Sequence, residues 1–528
     1  MFIGYMLIFQ FLTRNMRVFI RVWGMTEIMQ AAAPPPAAID MQPQNPVYVI
    51  PQVEALSPPP YGMVLGRSRS QWAMIRRMLG LVLISFLLMN FLMLIPMGIM
   101  TNEGDITFVA GLCSIPLLLL FFFVRRPRLV HVMLAEPDDS GNIAHPLPGD
   151  RTLTTPIKTR FRHHLLRDST LLDIPTTSSL WSIFFLAIAT AITLFILLIA
   201  SPDNGLLLNI AILVGIPCWL IGFAIPVFAW MSYSTRRLGL PTRTHHAEAA
   251  LTAGFVSTFP AVVINSLLFP MLLNVIDIDP LSALGEFLIV TISAPVGEEI
   301  CKAAAVLSCH HLIDSPRRGF QVGFTVGLGF ALLENILYIS GSLASGGFIG
   351  FAFTAFLRGI GSIPGHAVWT GISGLGIGWL LAQKPSLGGL LAKKSKPQEG
   401  AFVLIDSKTG NLVHDATGSG IIGQPGSMTM WNVSSYLTYS KTSKRPHWNL
   451  PKTPLVAIFI AILGHAIWNG STSAITFFFE QILGETGAII AMLAWIIVLI
   501  TILLWGGRRI LESLHSVPCT IDNDFNEH

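Results

Sequence analysis

The chain has 528 residues, of which 52% are hydrophobic and only 12% are charged. A soluble globular protein carries about twice that fraction of charged residues, so the composition excludes an ordinary soluble domain. The net charge of +4 is too small to indicate nucleic-acid binding. The five cysteines show neither CxxC nor metal-ligand spacing, which favours reduced thiols buried in helices.

We predict that residues 1–72 form a largely disordered N-terminal region. Residues 1–24 are apolar but are interrupted by three arginines, which indicates an amphipathic surface helix or an upstream extension rather than a span. Residues 31–61 contain AAAPPPAA and SPPPYG, and such a proline-rich composition cannot pack a core.

Ten apolar blocks follow, each near the roughly 20 residues that a helix needs to cross a hydrocarbon core of about 30 Å. They lie at 78–100, 106–124, 180–200, 206–231, 250–275, 284–309, 321–340, 361–383, 454–479 and 484–506. We therefore predict an all-α, polytopic helical membrane protein with about ten transmembrane helices. The accessory helices lie at 73–124, and the membrane core lies at 179–383 and 454–510. Residues 347–360 are predicted to form a re-entrant or interfacial piece.

Lysine and arginine occur in every second connection between the blocks, which predicts a multi-pass protein of the cell (cytoplasmic) membrane with both termini cytoplasmic. Two polar regions interrupt the spans: a basic cytoplasmic loop at 125–178 and a soluble insertion at 384–453. The insertion contains AFVLIDSKTGNLVHDA, which is typical of a β-hairpin. Residues 511–528 form a C-terminal tail.

Ionisable side chains inside the apolar blocks are confined to the later spans. Each such charge costs at least about 2.5–3.5 kcal/mol at the bilayer centre on insertion scales. The residues are Glu298, Glu299, Lys302, Glu334, His366 and His465, with Arg358 just before one span. Charges confined to consecutive helices indicate that these helices face a shared polar cavity.

Spacing within the motifs groups these side chains on common helix faces. Lys302 lies four residues after Glu298 and can pair with it as a counter-ion, while Glu299 lies about 100° around the helix. Adjacent carboxylates in a low dielectric do not both ionise easily, which suits a general base or acid. His465 and Asn469 also share a face and can donate hydrogen bonds to a developing oxyanion.

Four motifs together resemble the PrsW family of intramembrane proteases, which is related to the CAAX prenyl endopeptidases and the bacteriocin-immunity (ABI) proteins. The resemblance covers residues 180–383 and 454–506. The motifs are EExxK at Glu298, Glu299 and Lys302; FxxxEN at Phe330, Glu334 and Asn335, followed by Tyr338; Arg358, His366 and Trp369; and HxxWN at His465, Trp468 and Asn469.

The resemblance implies an intramembrane endopeptidase in which Glu298 or Glu299 activates water together with Glu334 or His366. The CAAX endopeptidases have a histidine where this chain has Glu334. His465 and Asn469 would stabilise the oxyanion, with Lys302, Asn335, Tyr338 and Arg358 in supporting roles. Family members are often labelled metalloproteases, and Glu298, Glu299, Glu334, His366 and His465 are the candidate zinc ligands. A metal-free activation of water explains the same residues and is preferred here.

Other functions fit parts of the pattern. Intramembrane Glu, His and Lys also build proton relays, so an ion- or proton-coupled transporter is one alternative, although no inverted repeat of spans is found. A non-catalytic immunity or scaffold protein is another. No HExxH occurs, which excludes the common zincin helix. The expected partners are the lipid bilayer and a membrane protein or peptide substrate, such as an anti-sigma factor, a lipidated tail or a bacteriocin-like peptide.

Overall fold

The structure is a computed structural model that describes residues 70–147, 151–167, 172–240, 242–383 and 447–517. Among these residues the chain is predominantly helical, and seven helices are long and apolar enough to cross a membrane. The prediction of an all-α, multi-pass membrane protein is therefore confirmed. The domain boundaries and the cytoplasmic location of both termini stay predictions.

The helices follow one another along the chain with short connections, except between Arg125 and Thr177 and between Gln383 and Pro454. The first five are α1 Ala73–Met100, α2 Gly104–Arg125, α3 Thr177–Ala200, α4 Gly205–Leu238 and α5 Thr244–Val275. Helix α6 consists of Ala283–Leu288, a π-helical turn Ile289–Ser293 and Ala294–Ser308. The last three are α7 Pro316–Leu357, α8 Ile363–Gln383 and α9 Pro454–Ser513.

Two of the helices are broken by a glycine, and this changes the predicted count of ten spans. Helix α7 breaks at Gly347 and α9 breaks at Gly484, where φ is 57° and 69°. Glycine adopts these values without steric strain. The predicted blocks at 454–479 and 484–506 are thus two helical arms joined across a kink at Gly484. Helix α6 is not among the seven candidates, because it carries four charged residues, Glu286, Glu298, Glu299 and Lys302.

The prediction of a re-entrant or interfacial piece at 347–360 stays a prediction, and the structure shows that its residues are not separated from the crossing at 361–383 by a break. The residues after Gly347 are helical and continue through a π-helical turn, Arg358–Ser362, into α8. A π turn inserts one extra residue into a helix without ending it. Pro364 therefore lies within a continuous helix. The second arm of α7 and α8 therefore form one helix.

A β-hairpin lies in the loop at 125–178, where the sequence analysis identified no strand. Strand β1 Leu129–Leu147 pairs antiparallel with β2 Arg151–Arg167, and the register shifts between Pro137 and Ala144. The hairpin that the sequence predicts within 384–453 lies outside the described residues, apart from residues 447–453, which contain no strand.

A row of glycines brings α7 and α8 into close contact. Gly319, Gly323 and Gly327 recur every four residues on α7, and a Cβ added at Gly323 or Gly327 would meet the carbonyl oxygen of Thr370 or His366. Small residues at this spacing allow helix backbones to approach closely in a membrane. The contact fixes the backbone of α8 at the level of His366.

We predict that Gly323→Ala destabilises the protein while Gly341→Ala on the same helix does not. Both changes give the same gain in helix propensity, about 1 kcal/mol, but only Gly323 lacks room for a Cβ, whereas nothing lies within 4 Å of one at Gly341. Overpacking costs about 1–3 kcal/mol. Thermal unfolding in detergent should therefore show a lower midpoint for Gly323→Ala alone. Equal midpoints for the two variants would contradict this packing argument.

Candidate active site

The ammonium group of Lys302 lies at the centre of a buried polar cluster. It is fully buried and lies 3.1 Å from Glu298 Oε2, 2.9 Å from Glu299 Oε1 and 2.7 Å from His366 Nδ1. Its nitrogen also lies 3.9 Å from the centroid of the Phe330 ring. All three of its donors are therefore used, and one cation bridges two carboxylates and an imidazole from a second helix.

His465 joins the cluster from α9. Its Nδ1 lies 3.1 Å from Glu299 Oε1, and because a carboxylate accepts, Nδ1 carries the proton and Nε2 keeps its lone pair. Nε2 lies 3.9 Å from Glu298 Oε2. The ring stacks on Trp369 with a centroid separation of 4.9 Å and an interplanar angle of 15°. Glu299 thus fixes both the tautomer and the direction of His465.

A second carboxylate–imidazole pair lies on the other side of Lys302. Glu334 Oε2 accepts from Arg358 at 2.6 Å and lies 2.8 Å from His366 Nε2. Because Lys302 donates to His366 Nδ1, the proton of this ring resides on Nε2. Arg358 also donates to Asn335 Oδ1 at 2.6 Å. The predicted Glu334–Asn335 motif is therefore anchored by Arg358.

Two of the predicted residues lie at the rim of the cluster. The Tyr338 ring centroid lies 4.2 Å from the Arg358 guanidinium, and the residue is 55% exposed. The Asn469 amide donates to the carbonyl oxygen of Val290 at 3.2 Å, a residue of the π turn in α6. One of the two N–H donors of Asn469 is therefore used by α6, and the other is left for the predicted role beside His465.

Polar residues at the π turns extend this rim. Asn265, in the π turn Ile264–Leu268 of α5, accepts from the Ser293 hydroxyl at 3.0 Å. Its Oδ1 would lie 3.3 Å from a Cβ added at Gly297, the residue before Glu298. Asn265 is not among the residues predicted from sequence, because its side chain is an amide and the prediction rests on ionisable groups. An amide in an apolar block was the available signal. π turns are frequent at functional sites.

The two adjacent glutamates differ in their access to the outside. Glu298 is 8% exposed, while Glu299 is fully buried. Glu299 Oε1 is shared by Lys302 and His465, and among the described residues its Oε2 has no hydrogen-bond partner. Glu298 is therefore the glutamate of this pair that can meet a reactant.

Three side chains of the cluster form a set suited to a metal ion. One ligand atom from each of Glu298, His366 and His465 lies within 4.8 Å of the others, and two imidazoles with one carboxylate are a known ligand set of catalytic zinc. The donor chemistry therefore fits a divalent cation. Lys302 already bonds to Glu298 and His366, so a metal would share these two residues with an ammonium group.

A buried Glu, His and Lys cluster in a helical membrane protein indicates a functional site within the bilayer. Residues 242–394 match the model of the PrsW family of intramembrane metalloproteases, so the predicted resemblance is confirmed. The match supports an intramembrane protease in general. It ends before His465, which the structure adds to the site from α9. No curated protein and no solved structure matches the chain.

We predict that Lys302→Met strongly destabilises the protein and that a second change, Glu299→Gln, partly reverses the loss. Removing one partner of a buried ion pair costs about 3–5 kcal/mol because the other charge is left unpaired, and Glu299 is fully buried beside Lys302. Thermal unfolding of both variants in the same detergent tests this. If the double variant is no more stable than Lys302→Met, the two residues do not act as a charge pair.

Proposed function

We propose that this protein hydrolyses peptide bonds of membrane proteins or peptides within the bilayer, with Glu298 as the base that activates water. The observation that carries this proposal is the pair of acceptors formed by Glu298 Oε2 and His465 Nε2, 3.9 Å apart. That separation is too long for a direct hydrogen bond but suits a water molecule that bridges both atoms.

In this proposal the reaction needs one group that accepts a proton from water and later returns it to the leaving amine. The oxygen of water attacks the scissile carbonyl carbon while its proton passes to the Glu298 carboxylate. The C–N bond then breaks and the leaving nitrogen takes the proton, which gives a carboxylic acid and an amine. The second N–H donor of Asn469 is the proposed donor to the oxyanion, since His465 in the described tautomer accepts at Nε2.

The remaining acids act as positioning residues. Glu299 holds His465 in the tautomer with the proton on Nδ1, and Glu334 holds His366 in the tautomer with the proton on Nε2. Arg358 in turn fixes Glu334. Carboxylates that orient imidazoles in this way are common around catalytic and metal-binding histidines. The proposal therefore assigns different roles to three glutamates that the sequence alone leaves equivalent.

A metal ion would be held by Glu298, His366 and His465, and when bound it would polarise the substrate carbonyl and promote ionisation of water. The proposed reaction relies instead on the residues of the chain. Lys302 supports this choice, because its ammonium group already neutralises the donors that a divalent cation would need.

We predict that Glu298→Gln abolishes cleavage, since loss of a general base costs about 10²–10⁴-fold in rate. The measurement compares the membrane proteomes of cells that carry the wild type or the variant. An uncut single-span protein should accumulate only with Glu298→Gln. The matched control is Glu286→Gln, an exposed glutamate on the same helix.

Identical proteomes for wild type, Glu298→Gln and Glu286→Gln, at equal levels of inserted protein, would rule out the protease. Proton flux in proteoliposomes that depends on Glu298 would then favour the transporter alternative. The continuous hydrogen-bonded series from Arg358 through His366 and Lys302 to His465 is the feature that would serve such a relay.

We predict that the purified wild-type protein contains no stoichiometric divalent metal and that its cleavage activity survives a chelator. Elemental analysis of wild type, His465→Ala and His310→Ala tests this, because His310 is a half-buried histidine outside the cluster. A stoichiometric metal that is lost in His465→Ala and kept in His310→Ala would overturn the metal-free mechanism and establish the metal site.

A further inference from the structure

A polar cavity lies outside the Lys302 cluster, between the ends of α1, α2 and α5. Its volume is about 90 Å³, and its polar lining comes mainly from Arg77, Arg125, Arg128, Thr244, His245 and Glu248. This end of the three helices carries the arginines that predict a cytoplasmic face. The cavity therefore lies where helix ends meet lipid headgroups.

Arg77 is fully used in holding the three helices together. Its Nη1 lies 2.5 Å from Glu248 Oε2 of α5, and its Nη2 donates to the carbonyl oxygens of Val124 and Arg126 at 3.0 and 2.7 Å. The guanidinium thereby satisfies carbonyls at the C-terminal end of α2. Its charge is neutralised by Glu248, so the Arg77–Glu248 pair contributes structure rather than net charge to the cavity.

The charge of the cavity comes from Arg125 and Arg128. Among the residues that the structure describes, neither has an acidic partner, while the one acidic side chain in the lining is paired with Arg77. Arginine presents a planar fork of donors that matches the oxygens of a phosphate group. Basic pockets between transmembrane helices at this level commonly bind the headgroups of anionic lipids.

We propose that this cavity binds a phosphate group, which an anionic phospholipid or a soluble phosphate could supply. Bound there, the phosphate would neutralise Arg125 and Arg128 and join α2 to the start of α5. Helices α1 and α2 lie outside the segment that matches the protease family, and α5 begins inside it. The site would therefore hold the accessory helices against the family core.

The test compares the wild type with Arg125→Gln/Arg128→Gln and with the control Arg126→Gln. Arg126 lies between the two lining arginines in sequence. Its side chain lies over the Phe123 ring, and Arg126 does not line the cavity. Each protein is released from vesicles that contain phosphatidylcholine and phosphatidylglycerol, and native mass spectrometry measures the retained phosphatidylglycerol. Thermal unfolding in phosphatidylcholine nanodiscs, with and without inorganic phosphate, forms the second arm.

We expect the double variant to retain about tenfold less phosphatidylglycerol, as loss of charged hydrogen bonds implies, and Arg126→Gln to behave like the wild type. If instead only inorganic phosphate raises the unfolding midpoint, and only when both arginines are present, the soluble source is established. Equal lipid retention and equal phosphate response in all three proteins would overturn the proposal. If the double variant does not fold, Arg125→Lys/Arg128→Lys replaces it. This variant keeps both positive charges but lacks the planar guanidinium donors, so it must still retain less phosphatidylglycerol than the wild type.

Discussion

The structure depends on the burial of one ammonium group at membrane depth. A charge at the bilayer centre is tolerated only when its partners lie within hydrogen-bond distance, and the partners of Lys302 come from more than one helix. Glu298 and Glu299 lie on its own helix, His366 lies on α8, and the Phe330 ring belongs to α7. Because Glu299 also bonds to His465 of α9, four helices must converge around this single cation.

That convergence explains the irregular features of the helices. The carbonyl oxygen of His366 lies against Gly327, so a larger residue there would push α8 away from α7 and pull the imidazole from Lys302. The π turn that begins at Arg358 inserts one extra residue into the helix. At this turn the Arg358 guanidinium donates to Glu334. Close backbone packing and local π turns are thus the means by which polar groups meet inside an apolar bundle.

Much of the site could be predicted from sequence because charge inside an apolar block is rare and needs a reason. The cluster of Glu298, Lys302 and His366 follows from that rule alone. The hydrogen bond between His465 and Glu299 could not be predicted. The two residues are 166 positions apart in the chain, and nothing near His465 in sequence indicates which carboxylate it contacts. The break at Gly484 lies at the predicted boundary between the blocks at 454–479 and 484–506, whereas the three π turns leave no trace in a hydropathy pattern.

The charge of the cluster itself favours a base that accepts one proton. Three carboxylates, from Glu298, Glu299 and Glu334, surround two cations, Lys302 and Arg358, so with neutral imidazoles the cluster carries one surplus negative charge. In a low dielectric such a surplus raises the affinity of the carboxylates for a proton. A divalent cation would leave one surplus positive charge instead. Transfer of a proton from water to a carboxylate moves the negative charge onto the attacking oxygen and keeps the net charge of the site unchanged. Of the two glutamates that bond to Lys302, Glu298 is the one open to a reactant, so in the proposed mechanism it is the one that takes this proton.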